Sequence, residues 1–399
     1  MSLIGSQVSI IALPIVAVSF LNATSVQTGI LTACSYAAFL ALGLPAGIWV
    51  DRYDKRKLMI ISDIGRAAVL ALVPLLFSMS MLNIQCLYIV ALINGVFNLI
   101  FDVSHQSYLP ELVDENYLVE GNTKLASTYA GSQIVGPSLG GLLTHLFYAP
   151  FVIFFDSVSY IVSALLLSRI TTPIEKKVKK EDVQSNTIKE IKGSLEFVFR
   201  NPLLSRVVTS ISFGNFFDMF GMVQAILPIF ILNHLGLSPL KYGAILAFSN
   251  TGALLGSILN TRIVNKFGFG KTILIGASIG ALPLLMFQFV DTNNAFFLLS
   301  ISLFTAGFGV TLFNVNQLSL RQKITPIHMM GRMNATVRFI IWGTIPLGAM
   351  FGGWMGKSAG FKNTFLVAAI GAILSVLPLC FTDLLKIRSI EDLGVRNDS

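Results

Sequence analysis

Gly43-Leu-Pro-Ala-Gly47-Ile-Trp-Val-Asp51-Arg52-Tyr-Asp54-Lys55-Arg56-Lys57 stands between two long apolar runs, and its last seven residues, Asp51 to Lys57, carry six charges. The flanking stretches 26–50 and 58–79 contain only Asp63 and Arg66 as charged residues. So tight a knot of charge, set between runs long enough to cross a bilayer, predicts a short polar turn joining two membrane-crossing helices. Its excess of Lys and Arg predicts that the turn faces the cytoplasm, where short loops are enriched in basic residues.

Composition extends this reading to the whole chain. Of 399 residues, 54% are hydrophobic and only 12% charged, whereas a soluble domain is usually about 25% charged. An integral membrane protein is expected. Apolar runs of spanning length fall near 3–21, 26–50, 58–79, 85–106, 123–147, 151–170, 203–232, 241–264, 271–290, 295–317, 333–356 and 363–385, twelve in all. Each must be a helix, because a segment in lipid has to satisfy its own backbone hydrogen bonds. With both termini inside, the cytoplasmic loops and tail hold 23 of the 28 Lys and Arg. Topology therefore accounts for the net charge of +8, and no nucleic-acid site is needed.

Cys34, Cys86 and Cys380 are scattered, with neither disulfide nor zinc spacing. No Ser/His/Asp grouping or His/Cys metal spacing appears, so an enzyme and a metal site are not expected. The first run lacks a basic preface and a cleavage site and reads as a helix rather than a signal peptide. It begins almost at the first residue, with Gly5, Gln7 and Ser9 already inside it.

The ionisable residues inside the runs are the candidates for function. Asp63 and Arg66, at i and i+3, share a helix face and can pair. An intramembrane Arg costs roughly 2.5–3.5 kcal/mol on insertion scales, which leaves anion binding or ion coupling open for Arg66. Asn94, Asn98, Asp102 and His105 form a polar stripe on the fourth run that must face protein or water. Asp218 lies near the middle of the run 203–232, where a carboxyl can take and release a proton as its surroundings change, or can simply be a hydrogen-bonded acid. Asp156, one or two turns into the sixth run, is the second proton-coupling candidate, and Arg338 lies about one turn inside the eleventh.

The fifth run carries Gly131-Ser-Gln-Ile-Val-Gly136-Pro137-Ser-Leu-Gly140-Gly141. Gly131, Gly136 and Gly140 predict a bare side against which another helix packs closely, with Pro137 breaking one backbone bond. A shift of 212 residues carries Gly131, Gly136, Gly140 and Gly141 onto Gly343, Gly348, Gly352 and Gly353, with Pro137 on Ala349. This internal repeat predicts two related six-helix halves. The counterpart of the charged turn is Asn265-Lys266-Phe-Gly268-Phe-Gly270-Lys271-Thr272. Its Gly-Lys-Thr ending lacks the earlier Gly and the strand of a nucleotide-binding loop, so ATP-driven transport is not supported.

Gly47-x-x-x-Asp51-Arg52-x-x-Lys55-Arg56 resembles the signature loop between helices 2 and 3 of the major facilitator superfamily of secondary transporters, with Asp54 where the commonest form has Gly. The glycines of the fifth run and Pro137 resemble that superfamily's antiporter motif. Leu44-Pro-Ala-Gly47 and Ser107-Tyr-Leu-Pro110-x-Leu112-Val113 are similar to the macrolide-efflux and enterobactin-exporter-like branch. The resemblance implies an all-α membrane protein of about twelve helices: a six-helix bundle over 1–170, a cytoplasmic linker over 171–202, a second bundle over 203–385 and a tail over 386–399. In such families more residues normally precede the first helix.

It further implies a proton-coupled exporter of drugs or other amphipathic small molecules, without a cofactor, in the cell membrane. The expected partners are a small-molecule substrate, protons and lipid, with the chain acting as a monomer. Gly47, Asp51, Arg52, Lys55, Arg56 and Asp102 would form the cytoplasmic gate, Asp102 pairing with Arg52 or Arg56. A siderophore or metabolite exporter would share these motifs, and a membrane sensor or scaffold would not need Asp218.

Overall fold

A computed structural model describes residues 2–112, 118–170, 187–326, 330–389 and 392. The first half comprises α1 (Ser2–Ile15), α2 (Ser25–Arg52), α3 (Lys55–Ser78), α4 (Ile84–Leu112), α5 (Leu118–Leu146) and α6 (Ala149–Arg169). A further helix, α7 (Thr187–Arg200), follows within the expected linker. Residues 171–186 of that linker lie outside the described residues. The second half comprises α8 (Pro202–Phe217), α9 (Met222–Ile229), α10 (Pro239–Phe267), α11 (Phe269–Ala281), α12 (Ala295–Ile324), α13 (Met330–Ser358), α14 (Gly360–Leu374) and the short α15 (Leu377–Cys380). No strand occurs among the described residues.

Eleven described spans are long and apolar enough to cross a membrane. The twelfth position is held by α5, 29 residues long and richer in Gly, Ser and Thr. The helix starts follow local chemistry. Thr24 and Gln27 form a capping box at α2, and Asn201 and Ser238 accept backbone amides ahead of Pro202 and Pro239 at the starts of α8 and α10. Large apolar residues such as Phe289, Phe297 and Phe381 are left on the outside, as expected of faces that meet lipid.

The two halves repeat one another in packing as in sequence. Within the first half, Gly136 and Gly140 of α5 lie against α1, where a methyl on Gly140 would come 3.2 Å from the Ile11 Cβ. Within the second, Gly348 and Gly352 of α13 lie against the Phe216 and Met222 backbone. The next glycine in each motif faces the opposite half. A methyl on Gly141 would stand 2.8 Å from the Gly243 Cα in α10, and one on Gly353 would stand 3.0 Å from the Gly29 Cα in α2. Gly131 departs from the expected role, because a methyl there would meet nothing within 4 Å. The bare side begins at Gly136. The ends of the first and seventh spans away from the α2–α3 turn are also alike, each widening into a π turn (Val16–Phe20 and Phe230–His234) just after a proline, Pro14 or Pro228.

Candidate functional site

Asp54 begins α3 by accepting the Lys57 backbone amide at 3.1 Å, so the acid that replaces the family's usual Gly is an N-cap. Arg56, two residues on, donates from Nε to the Leu167 carbonyl at 2.8 Å and from Nη2 to the Ser168 carbonyl. It ties the start of α3 to the end of α6, satisfying carbonyls that a helix end leaves open. Its described partners are these carbonyls, and the expected pairing with Asp102 is not seen. Asp102 lies 3.9 Å from Arg338 of α13, in the other half. Lys55 is half-buried. The side chains of Gly47, Asp51, Arg52, Ser107 and Pro110, together with Val113, lie outside the described residues.

Deeper in the first half, α3, α4 and α6 bring together a polar cluster that α1 covers. Asp63 Oδ1 pairs with Arg66 Nη2 as the i, i+3 spacing predicted. The other terminal nitrogen of Arg66 donates to Asn98 Oδ1 at 2.9 Å. The guanidinium carbon lies 4.1 Å from both the Phe101 and the Tyr160 ring centroids, a cation–π clamp. Asp156 is fully buried, and its Oδ1 accepts from Ser159 Oγ at 3.1 Å. α1 passes so close that a methyl on Gly5 would run into Asp156 and Ser159. Beside it, Ser6 Oγ and the Tyr160 hydroxyl share a hydrogen bond of 2.7 Å.

The cluster is not fully satisfied. Asp63 Oδ2, Asp156 Oδ2 and Arg66 Nε are buried with no hydrogen-bond partner. It holds two carboxyl groups and one guanidinium, so one proton on either acid makes it neutral, and loss of that proton leaves one uncompensated buried negative charge, which is costly. This is an arrangement able to bind and release a proton.

Asp218 sits elsewhere and does something the periodicity did not show. The seventh span is broken at residues 218–221: α8 ends at Phe217 and α9 starts at Met222. Asp218 Oδ1 accepts the Phe220 amide at 3.0 Å, the local turn by which Asp competes with helical bonding. Gly221 fits where a methyl would strike the Asn215 and Phe216 carbonyls. The signal was present in Asp218-x-x-Gly221, two poor helix formers three apart.

Pro137 has a clearer function than a bend. Lacking an amide, it leaves the Gln133 carbonyl without its helical donor, and the Asn250 side chain of α10 donates to that carbonyl across the halves. The burial of Arg321 was not anticipated. Arg321, counted with the loop cations, lies inside α12 and is 8% exposed, and Gln317 one turn earlier is also buried; Arg321 Nε and Gln317 Oε1 have no partner.

A family model described as transmembrane secretion effector matches residues 1–397. Over 397 residues the chain is 22% identical to macrolide efflux protein A of Streptococcus pyogenes, covering 97% of this chain and 96% of that one. Over 379 residues it is 22% identical to the multidrug efflux pump Tap of Mycolicibacterium fortuitum, covering 93% and 90%. Among solved structures, a bacterial homologue of the iron transporter ferroportin, in an inward-facing state, matches with a TM-score of 0.75 at 14% identity over 95% of each chain. With its helical halves, its paired glycine motifs and a family match along nearly its whole length, the chain belongs to the transmembrane secretion effectors of the major facilitator superfamily of transporters.

Proposed function

We propose that the protein is a proton-coupled exporter of amphipathic small molecules that works by alternating access. The observation that carries this reading is the buried Asp63–Arg66–Asp156 cluster, with one more acid than base and an unpartnered oxygen on each carboxyl group. Asp156 is the proton carrier, because Asp63 is held by Arg66 whereas Asp156 has only serine hydroxyls bonded to it. Asp218 shapes the break in the seventh span. The efflux functions named for macrolide efflux protein A and Tap support export as the direction of transport. The excess of cations at the α2–α3 end supports a cytoplasmic location for that end.

Two close glycine contacts between the halves, Gly29 with Gly353 and Gly141 with Gly243, lie at the opposite end. They support reading this state as closed at its outer end. Protonation of Asp156 from outside and its release inside would then bias the rocking of the halves about their midplane. No cofactor enters this cycle.

Inverted vesicles holding the protein, energised by a pH gradient, test the reading with a panel of macrolides, cationic dyes and catecholate siderophores. Gradient-driven accumulation that is lost in Asp156→Asn at normal membrane abundance is the expected result. Accumulation by Asp156→Asn at the wild-type rate would remove this acid from the coupling.

A further inference from the structure

At the α2–α3 end of the second half, the ends of α10 and α11 and the chain after α15 enclose a cavity of about 920 Å3. Four cations line it, Lys266, Lys271, Lys386 and Arg388, and no acidic side chain does so among the described residues. Among the described residues, Lys386 pairs with the exposed Asp383 at 2.6 Å. Like charges gathered around one space repel one another unless an anion joins them.

The walls are built rather than loosely gathered. The Phe269 amide donates to the Arg388 carbonyl at 2.9 Å and the Gly270 amide to the Ile387 carbonyl at 3.0 Å, so the first turn of α11 holds the segment that brings in Arg388. Gly268, with φ at +89°, makes the turn that allows this. The chain after Ser389 is anchored back by Asp392, whose carboxylate accepts the Arg388 and Ser389 amides. Deeper in the cavity, Asn260 Oδ1 is occupied by Asn316 Nδ2 at 2.6 Å, which leaves the Asn260 amide hydrogens as donors. At the rim, Phe267 is 47% exposed, an apolar edge at the end of a spanning helix.

We propose that this cavity binds a phosphate-bearing anion. Cations supply the charge, the Asn260 amide a neutral donor, and the exposed Phe267 beside them an acyl-chain contact, so the favoured source is the headgroup of an anionic phospholipid. Basic pockets between spanning helices are where such headgroups bind. Nothing in the proton-coupling reading requires this site.

The full-length protein in nanodiscs of phosphatidylcholine with a minor fraction of phosphatidylglycerol tests it, with retained lipid counted by native mass spectrometry. Wild type is expected to retain phosphatidylglycerol selectively. Lys271→Gln should weaken that retention about fivefold, and Lys271→Gln with Arg388→Gln about twenty-fold, the size expected for one and two cations near an anionic surface. Lys57→Gln, at the same end but outside the cavity, should retain as wild type does. Melting in detergent with inorganic phosphate forms the second arm, and also shows that each variant is folded. Stabilisation by phosphate that the double variant loses, without lipid selectivity, would keep the anion site and assign it a soluble source. Equal lipid retention and equal phosphate response in wild type and double variant would overturn the proposal. If the double variant did not fold, Lys266→Gln compared with Lys57→Gln would decide by the same two readings.

Discussion

Asp54 and Asp156 are both acids in a membrane protein, and their surroundings give them opposite work. Asp54 is exposed and caps α3 through the Lys57 amide. Replacing it with Ala should cost about 1 kcal/mol and with Gly only a few tenths. Thermal melts of the two purified variants should therefore rank wild type, Asp54→Gly, then Asp54→Ala, with transport unchanged in the Gly form. Asp156 is buried with one oxygen unpartnered and is the proposed proton carrier. At this scale the sequence was partly legible. The i, i+3 spacing of Asp63 and Arg66 gave their pairing, and the polar stripe put Asn98 on the face that reaches Arg66. That Asp156 of α6 joins them was not legible, since nothing in local spacing relates the side of one helix to the side of another ninety residues away. The same limit hid the Asp102–Arg338 approach, which crosses the halves.

Among the helices, the repeat motif shows how one element serves two neighbours. In α5, Gly136 and Gly140 admit α1 and Gly141 admits α10, while Pro137 exposes the carbonyl that Asn250 takes up. Removing that donor by Asn250→Ala should cost about 1 kcal/mol of stability. The cost should shrink when Pro137→Ala is also present, because the new amide at 137 can reach the Gln133 carbonyl itself. A double-mutant cycle on thermal unfolding measures this coupling, and strict additivity would show that the proline is not what leaves the carbonyl open. Helix positions were readable from apolar length. The break at 218–221 was not read, because hydropathy stays high through Phe216, Phe217, Met219 and Phe220 and conceals the local competition by Asp218. Gly131 shows the converse error, a glycine in the motif that packs against nothing.

For the molecule as a whole, the sequence repeat translated into architecture because each half solves the same packing problem with the same glycines. What the repeat could not supply was the conformational state, which depends on contacts between the halves. Close glycine contacts between them lie at the end away from the α2–α3 turn. Gly141→Leu should therefore disfavour this closed end, since even a methyl there would stand 2.8 Å from the Gly243 Cα. Spin labels placed at the α5 and α10 ends should show a longer distance population in that variant, and an unchanged distribution would refute this assignment of the closed end. The central claim, that Asp156 exchanges its proton against substrate, is tested most directly by adding a transported substrate to purified protein in weakly buffered solution with a pH indicator. By linkage, a substrate that favours the deprotonated form must release protons on binding. The account predicts release of about one proton per wild-type molecule and none from Asp156→Asn; equal release from both proteins, with substrate binding intact, would contradict it.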